Sequence, residues 1–474
     1  MADWNRDTVF APATLPGTGA ISVLRVSGPD CFQIVDSIVQ LKRGTISGAS
    51  GYSLHFGMVY KPDSSLLDEV LVSVFRAPNS YTGEDSVELS CHASKYILSE
   101  LMALLSVAGA RMAEPGEFTR RSFLNGKMDL AQAEAVADVI SSTTSASHRV
   151  AMNQMRGGYS QELAEIRSEL LEMASLLELE LDFSEEDVEF ADRSRLGDLL
   201  SRASARVSSL AGSFHAGNAI KNGIPVAIVG PPNAGKSTLL NALLGDDRAI
   251  VSDIPGTTRD TIEECFQLDG VMYRFIDTAG IHETEQTIER IGIERTMKAI
   301  SAADVVVLVL DSSSPVKSLA EQLSFVLSRL DPAHQSVVIV VNKVDLMGEI
   351  GVNKIVTMIN NYVLTLDFKH IVVESSLTEL KGLDEIKKAI SSVSPQLSDA
   401  VDSTLVTNFR HFEALTQTAA SLSRVRLGLH HGAPTDLLAE DLRSAISSLS
   451  SITGHSITPD EILGNIFSKF CVGK

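Results

Sequence analysis

The sequence predicts a multidomain α/β-plus-α protein: an α+β N-terminal domain, a helical domain, and a parallel-sheet α/β domain inserted into the helical one. Three observations lead there. At 474 residues the chain exceeds one ordinary core, so two to four domains are expected. The texture changes near residues 120 and 220, from short β-type runs to helical spacing and then to apolar runs between helices. After about 390 helical spacing returns, and two separate helical fragments would each lack a packing face unless they meet. The expected divisions are 1–122, 123–217, 218–387 and 388–474, the second and fourth forming one helical domain.

In the first division, runs at 20–26, 69–75 and 86–90 favour strands and are separated by Gly, Pro, Asn and Ser turns. In the second, Leu163, Ile166, Leu170, Met173 and Leu177 recur at alternating spacings of three and four. Residues 161–181 hold no Pro or Gly, so the spacing predicts one long amphipathic helix. An acidic cluster follows (Glu178, Glu180, Asp182, Glu185, Glu186, Asp187, Glu189), which reads as a solvated turn or as a docking surface. In the third, apolar runs at 224–229, 273–276, 305–310, 336–341 and 370–373 alternate with helical segments, the pattern of a parallel sheet with crossover helices. Near the end, Thr458, Pro459 and Glu461 form a helix start, with Thr as cap and Glu at the capping-box position.

Hydrophobic residues make up 44% and charged residues 21%, the balance of a folded, soluble chain. No apolar run approaches the roughly 20 residues needed to span a bilayer, and no secretory signal is visible at the N-terminus. The four cysteines (Cys31, Cys91, Cys265, Cys471) form no metal-ligand spacing, which suggests reduced thiols and a cytoplasmic location. Forty basic against sixty acidic residues give a net charge of −20. That argues against non-specific binding to nucleic acid, though a local basic patch remains compatible with it.

Residues 230–237 carry a phosphate-loop pattern between a strand and a helix. Glycines let backbone N–H groups turn around phosphates at a helix N-terminus, whose dipole favours anions. Asn233, Ala234, Gly235, Lys236, Ser237 and Thr238 line that loop, with Lys236 reaching the β- and γ-phosphates and Ser237 a ligand for Mg²⁺. Asp277, Thr278, Ala279 and Gly280 end the next parallel strand; Asp277 can hold the Mg²⁺ shell and the Gly280 N–H can reach the γ-phosphate. Asn342, Lys343, Val344 and Asp345 follow another strand, and the Asp345 carboxylate suits the N1–H and exocyclic amino protons of guanine. Ser375, Ser376 and Leu377 offer a backbone N–H to the guanine carbonyl. All of these in order, each at a strand's C-terminal end, predict a GTP hydrolase. Between the first two elements, Ser252, Asp253, Ile254, Pro255, Gly256, Thr257 and Thr258 form a switch segment, with Thr258 the expected ligand for Mg²⁺.

Two details bear on mechanism. Ile281 stands where many GTPases place a water-orienting Gln, so the catalytic group must come from elsewhere. Glu289 is a candidate base, with an ordinary helix-surface carboxylate as the even alternative. Asn233 could bind a monovalent cation beside the phosphates, where an arginine finger would otherwise act, or simply cap the loop.

The phosphate loop with Asn233, the Gly256-Thr257-Thr258-Arg259-Asp260 switch, the inserted domain, the segments 82–85, 114–119 and 124–134, and the ending Phe470-Cys471-Val472-Gly473-Lys474 together resemble the MnmE (TrmE) family of tRNA modification GTPases. The resemblance covers essentially the whole chain. It implies an inserted Ras-like P-loop GTPase domain and an N-terminal folate-binding, dimerising domain. It implies a homodimer that works with MnmG, an FAD-dependent partner, to add a carboxymethylaminomethyl or aminomethyl group to C5 of the wobble uridine of certain tRNAs. The one-carbon unit would come from 5-formyltetrahydrofolate or a related tetrahydrofolate. GTP hydrolysis would need K⁺ and pair two GTPase domains across the dimer.

Carried over, K⁺ would be held by Asn233, Ser252, Ile254 and Thr257, and Mg²⁺ by Ser237 and Thr258. Glu289 would be the catalytic glutamate, and the folate ligands would be Arg25, Glu84, Lys127 and Lys474. By alternation Arg25 shares a strand face with Ile21 and Val23, a cation on an apolar face that suits a buried polar ligand. Glu84 sits in a turn and could accept from pterin ring N–H groups. Cys471 reads as a catalytic thiol or a small buried residue. The chain departs from the family at His282, where many members carry Arg, and at Pro231 and Pro255. A ribosome-assembly GTPase is the alternative of a different class, but it predicts a basic RNA-binding module. A folate-dependent transferase merely regulated by GTP would need a nucleophile or metal site in the first 120 residues, and none is visible.

Overall fold

The computed structural model describes residues 7–15, 17–182, 193–246, 264–276, 289–332, 334–363, 369–394 and 404–454, and near the end Leu463, Ile466, Phe467, Ser468, Phe470 and Gly473. These divide into two compact units, residues 1–137, 154–168 and 446–474 in one and 138–153 and 169–445 in the other.

The first unit is built on a seven-stranded sheet in the order β3-β4-β5-β6-β2-β1-β7. Its strands are β1 (Val9–Pro12), β2 (Ile21–Ser27), β3 (Val39–Leu41), β4 (Ser53–Tyr60), β5 (Leu66–Phe75), β6 (Ser86–His92) and β7 (Arg111–Met112). All neighbours run antiparallel except β1 and β7. Alternation sends Leu24 and Val26 of β2, Val70, Val72 and Val74 of β5, and Val87 and Leu89 of β6 into one core. Helices α1 (Cys31–Ile38) and α2 (Lys95–Val107) close that core with Ile34, Val35, Leu101 and Leu105. On β1, Val9 and Ala11 pack instead with Phe118 of α3 (Glu117–Leu124) and with Tyr81. Phe467 and Phe470 pack with Leu130 and Ala133 of α4 (Leu130–Ser141).

Helix α5 spans Ser145–Met155 and α6 Gly158–Asp182. The predicted stripe on α6 is buried along its length, with Leu163, Ile166, Leu170, Met173 and Leu177 at most 2% exposed. Part of the acidic cluster pairs with residues distant in sequence: Glu178 accepts from Arg443 and Glu180 from Thr435 Oγ1. Residues 183–192 of that cluster, and the helix start at 458–461, lie outside the described residues.

In the second unit, α7 (Arg193–Gly212) and α8 (Phe214–Asn222) lead into a six-stranded sheet ordered β13-β12-β11-β8-β10-β9. Its strands are β8 (Ile224–Val229), β9 (Glu264–Leu268), β10 (Val271–Phe275), β11 (Val305–Asp311), β12 (Ser336–Asn342) and β13 (His370–Glu374). All pair parallel except the edge hairpin β9–β10, whose first strand the apolar runs did not mark. On β11, Val305, Val307 and Val309 face one core while Val306, Leu308 and Leu310 face another, as expected of a sheet covered on both sides. The flanking helices are α9 (Lys236–Asp246), α10 (Glu289–Ala302), α11 (Val316–Leu327), α12 (Glu349–Val363) and α13 (Leu383–Val393). Helix α14 (Phe409–His431) packs along α7, so helical segments from before and after the sheet do meet; α15 (Thr435–Thr453) follows. The fold class is the one the sequence predicts. No helix among the described residues is long and apolar enough to cross a membrane.

Candidate functional site

Strand β8 delivers the chain to Gly230, whose φ of +149° and position leave no room for a side chain: a Cβ there would fall 2.2 Å from the Val309 carbonyl oxygen. Asn233 turns the loop at φ +61°, in the left-handed region that Asn tolerates better than most residues. Gly235 closes the loop at φ +106°, with a would-be Cβ 2.4 Å from Asn342 Nδ2. Lys236 then opens α9, and its ammonium donates to the carbonyls of Gly230 at 3.0 Å and Pro231 at 2.8 Å. Burial pushes the Lys236 pKa down, so an anion beside it restores the favoured charge. Ser237 and Thr238 occupy the first turn of α9, where the free backbone N–H groups point.

Asn342, at the end of β12, ties three segments together. It is 3% exposed. Its Nδ2 donates to the Ala234 carbonyl at 2.8 Å, and its Oδ1 accepts from the Leu377 N–H at 3.1 Å and from Ser375 Oγ at 3.3 Å. The phosphate loop and the 375–377 loop are therefore locked to one buried amide. Lys343 has φ +63° and swings the chain into a single turn of 3₁₀ helix, Val344–Leu346, which leaves Asp345 exposed. The Val344 N–H donates to the Ser375 carbonyl at 3.2 Å. Ser376 exchanges two backbone hydrogen bonds with Lys381, both 3.0 Å, which folds the 375–377 loop back on itself.

Sequence reasoning passed over Asp311 and Ser312, which end β11 beside this segment. Lys343 Nζ donates to Asp311 Oδ2 at 2.6 Å, and Ser312 Oγ donates to the Lys343 carbonyl at 2.9 Å. Burial alone would raise the Asp311 carboxyl; hydrogen bonds from Lys343 and Ser313 outweigh it and hold its pKa low. The signal is present as Asp-Ser-Ser directly after an apolar run, a turn-forming sequence.

The structure brings together residues 230–238, 342–345 and 375–377. Ser252, Asp253, Ile254, Pro255, Gly256, Thr257 and Thr258 lie outside the described residues, as do Asp277, Thr278, Ala279, Gly280, Ile281 and His282. Glu289 is the first residue of α10, and nothing is described of its side chain.

In the first unit, Arg25 lies on the β2 face opposite Leu24 and Val26, the face it shares with Ile21 and Val23. It is half-buried, and its guanidinium sits 5.2 Å from the Tyr81 ring centroid and 5.6 Å from that of Phe118. Nε and Nη2 donate to Glu88 Oε1 on the neighbouring strand, at 3.0 and 2.8 Å. Glu84 is held as well: Oε2 accepts from Ser27 Oγ at 2.8 Å, and both oxygens lie 3.3 Å from Nη1 of Arg121. Arg121 is 1% exposed and also pairs with Asp7 and Glu117; sequence reasoning missed this buried hub. Lys127 Nζ donates to the Pro78 carbonyl at 3.0 Å.

The chain's end reaches the same sheet. Gly473 has φ +97°, and a Cβ there would fall 2.1 Å from the Pro12 carbonyl oxygen, one residue beyond Ala11, the register partner of Arg25. Cys471 and Lys474 lie outside the described residues. Of the described thiols, Cys31 and Cys91 are buried; burial pushes Cys31 up and Cys91 to about 11, so neither is a ready nucleophile.

Residues 130–471 match the family model described as the MnmE helical domain, and residues 8–127 match that of the GTP-binding protein TrmE N-terminus. A relative from Bacteroides thetaiotaomicron, called tRNA modification GTPase MnmE, is 48% identical over 475 residues, covering 99% of this chain and 100% of its own. One of the same name from Flavobacterium johnsoniae is 48% identical over 477 residues, with 99% and 100% covered. Among solved structures, the FeoB G-domain from Methanococcus jannaschii is 27% identical, with a TM-score of 0.25, covering 36% of this chain and 96% of that one.

Proposed function

The chain belongs to the MnmE family of tRNA modification GTPases, and from that premise we propose that it is a K⁺-activated GTPase serving wobble-uridine modification. It is a GTP hydrolase of tRNA modification. The observation that carries the reading furthest is the buried Asn342 amide, which joins the phosphate loop to the base-reading loop. One contact network thus sets phosphate and base positions together, as hydrolysis of one nucleotide class requires.

Mg²⁺ would be held by Ser237 in the first turn of α9, with Thr258 from the switch and the Asp277 shell. K⁺ would be held by Asn233, with Ser252, Ile254 and Thr257. The left-handed turn at Asn233 supports this, because it sets that side chain at the rim of the loop. Bound there, a monovalent cation supplies positive charge to the developing phosphate charge. Glu289 is the proposed catalytic base.

We further infer a tetrahydrofolate site at Arg25, Glu84, Lys127 and Lys474, with Cys471 as a thiol catalyst. The half-buried Tyr81 ring beside the Arg25 cation fits an aromatic ligand with polar edges, and the seat of Gly473 against Pro12 supports a role for the terminal residues. The folate supplies the one-carbon unit for C5 of uridine 34. On this reading residues 1–122 bind the folate and dimerise, 218–387 hydrolyse GTP, and 123–217 with 388–474 join them. An exposed apolar row on β4 and β5 (Leu54 at 63%, Phe56 at 41%, Leu71 at 43%) supports self-association. The proposed partners are a second copy, an FAD-dependent MnmG-type protein and tRNA, in the cytoplasm.

GTP turnover in KCl against NaCl tests the cation reading. Wild type is expected to turn over about tenfold or more faster in KCl, and Asn233→Ala to lose that difference. Equal wild-type rates in the two salts would remove the cation.

A further inference from the structure

The turn at the end of β11 clamps the base-reading segment at three points. The Ser312 N–H donates to the Asn342 carbonyl at 3.0 Å. Its hydroxyl donates to the Lys343 carbonyl at 2.9 Å. The Asp311 carboxylate takes the Lys343 ammonium at 2.6 Å. Asp311 itself cannot swing freely, because its other oxygen accepts from the Ser313 N–H at 2.9 Å and the Ser313 hydroxyl at 2.6 Å. Lys343 is thus gripped at its main chain and at its tip, while its backbone sits at φ +63°, a conformation that L residues adopt only when held.

Asp345 follows two residues later. Its carboxylate reads guanine only if both oxygens meet N1–H and the 2-amino group together, which fixes its direction closely. A Lys343 ammonium released from Asp311 would loosen the left-handed turn. It would also become a competing donor for the Asp345 carboxylate. We propose that Asp311 is a positioning residue that sets guanine specificity: it holds the Lys343 ammonium away from Asp345 and braces the turn that presents Asp345 to the base. This rests on Asp345 being the guanine reader.

The test compares wild type with Asp311→Ala, Asp311→Asn and Asp311→Glu, using GTP turnover and the binding of GDP and IDP, whose base lacks the 2-amino group. For Asp311→Ala, the KM for GTP and the Kd for GDP are expected to rise about tenfold, the size of one lost charge-assisted hydrogen bond, with kcat little changed. The preference for GDP over IDP is expected to shrink several-fold, a change that loss of general structure would not produce. Asp311→Glu should recover part of both. If Asp311→Ala does not fold, Asp311→Asn, which keeps the oxygen that caps Ser313, carries the same comparison. A folded variant with wild-type KM and wild-type discrimination overturns the proposal. A wild type that binds GDP and IDP equally overturns the base-reading assignment instead, and the positioning role falls with it.

Discussion

At the scale of single residues, the nucleotide site depends on groups that nothing else can replace. Asn342 makes three bonds from a buried position, so Asn342→Ala strands the Ala234 carbonyl and the Leu377 N–H without a partner. Each orphaned buried group costs about 1–3 kcal/mol. The variant is therefore expected to lower the thermal midpoint of the described α/β sheet and to weaken GDP binding together. Calorimetric unfolding with and without GDP checks this; an unchanged midpoint would show that the amide ties nothing. Asn342→Asp should fare little better, since its carboxylate would face the Ala234 carbonyl where an N–H now donates. Gly230 and Gly235 act differently, through space: a Cβ at either would meet a fixed atom, at 2.2 and 2.4 Å.

At the scale of elements, α3 is anchored by charge as well as by the buried Phe118 ring. Six of its residues are buried, including Glu117, Arg120 and Arg121. Burial pushes the Glu117 carboxyl up, but Arg111, the Glu114 N–H and Arg121 together hold its pKa below the usual range. The sign follows directly. A depressed carboxyl contributes stability that is present above its unfolded pKa of about 4.3 and is lost as pH falls through the folded value. Glu117→Gln leaves Arg111 and Arg121 short of a partner and is expected to cost about 3 kcal/mol at pH 7, as broken buried pairs do. The gap to wild type should narrow as pH falls below about 4.3, where the unfolded chain takes up the proton, and close only below the depressed folded value. Urea unfolding at pH 7 and pH 3.5 reads this; a pH-independent gap would mean that packing, not charge, is at stake. This hub was hidden in the sequence for a physical reason. The apolar runs of β8, β11 and β12 announce themselves by composition, because strands covered on both faces must be apolar. The phosphate loop does so by its glycines. Arg121 gains its role only when Asp7, Glu84 and Glu117, distant or unremarkable in sequence, are folded around it. The edge strand β9 was illegible for the opposite reason: with one buried residue in five, its run carries little pattern.

At the scale of the whole molecule, the nucleotide site and the Arg25 site lie in different compact units, so their chemistries can be separated by mutation. Gly473 is the sharpest place to cut. It has no side chain in any of the described apolar cores, yet its backbone is fixed at φ +97° against the Pro12 carbonyl. A methyl group there would have to fall 2.1 Å from that oxygen and 3.2 Å from the Ala13 Cα, both main-chain atoms that cannot turn aside. The strained φ adds roughly 1–2 kcal/mol for any L side chain. The variant Gly473→Ala is therefore expected to unseat the terminus from β1 while leaving folding and GTP turnover at wild-type values. If Lys474 and Cys471 serve the folate site, binding of 5-formyltetrahydrofolate should weaken about tenfold or more, and wobble-uridine modification should be lost in a strain carrying only this variant. A truncation lacking residues 471–474 should match it in both readouts. Lys236→Ala should do the reverse, losing GTP turnover but keeping folate affinity. Normal modification by Gly473→Ala would mean that the terminus is not a working part of the site. Loss of GTP turnover in Gly473→Ala would mean that the two chemistries are not separable as the division into compact units suggests, and that hydrolysis depends on the seated terminus.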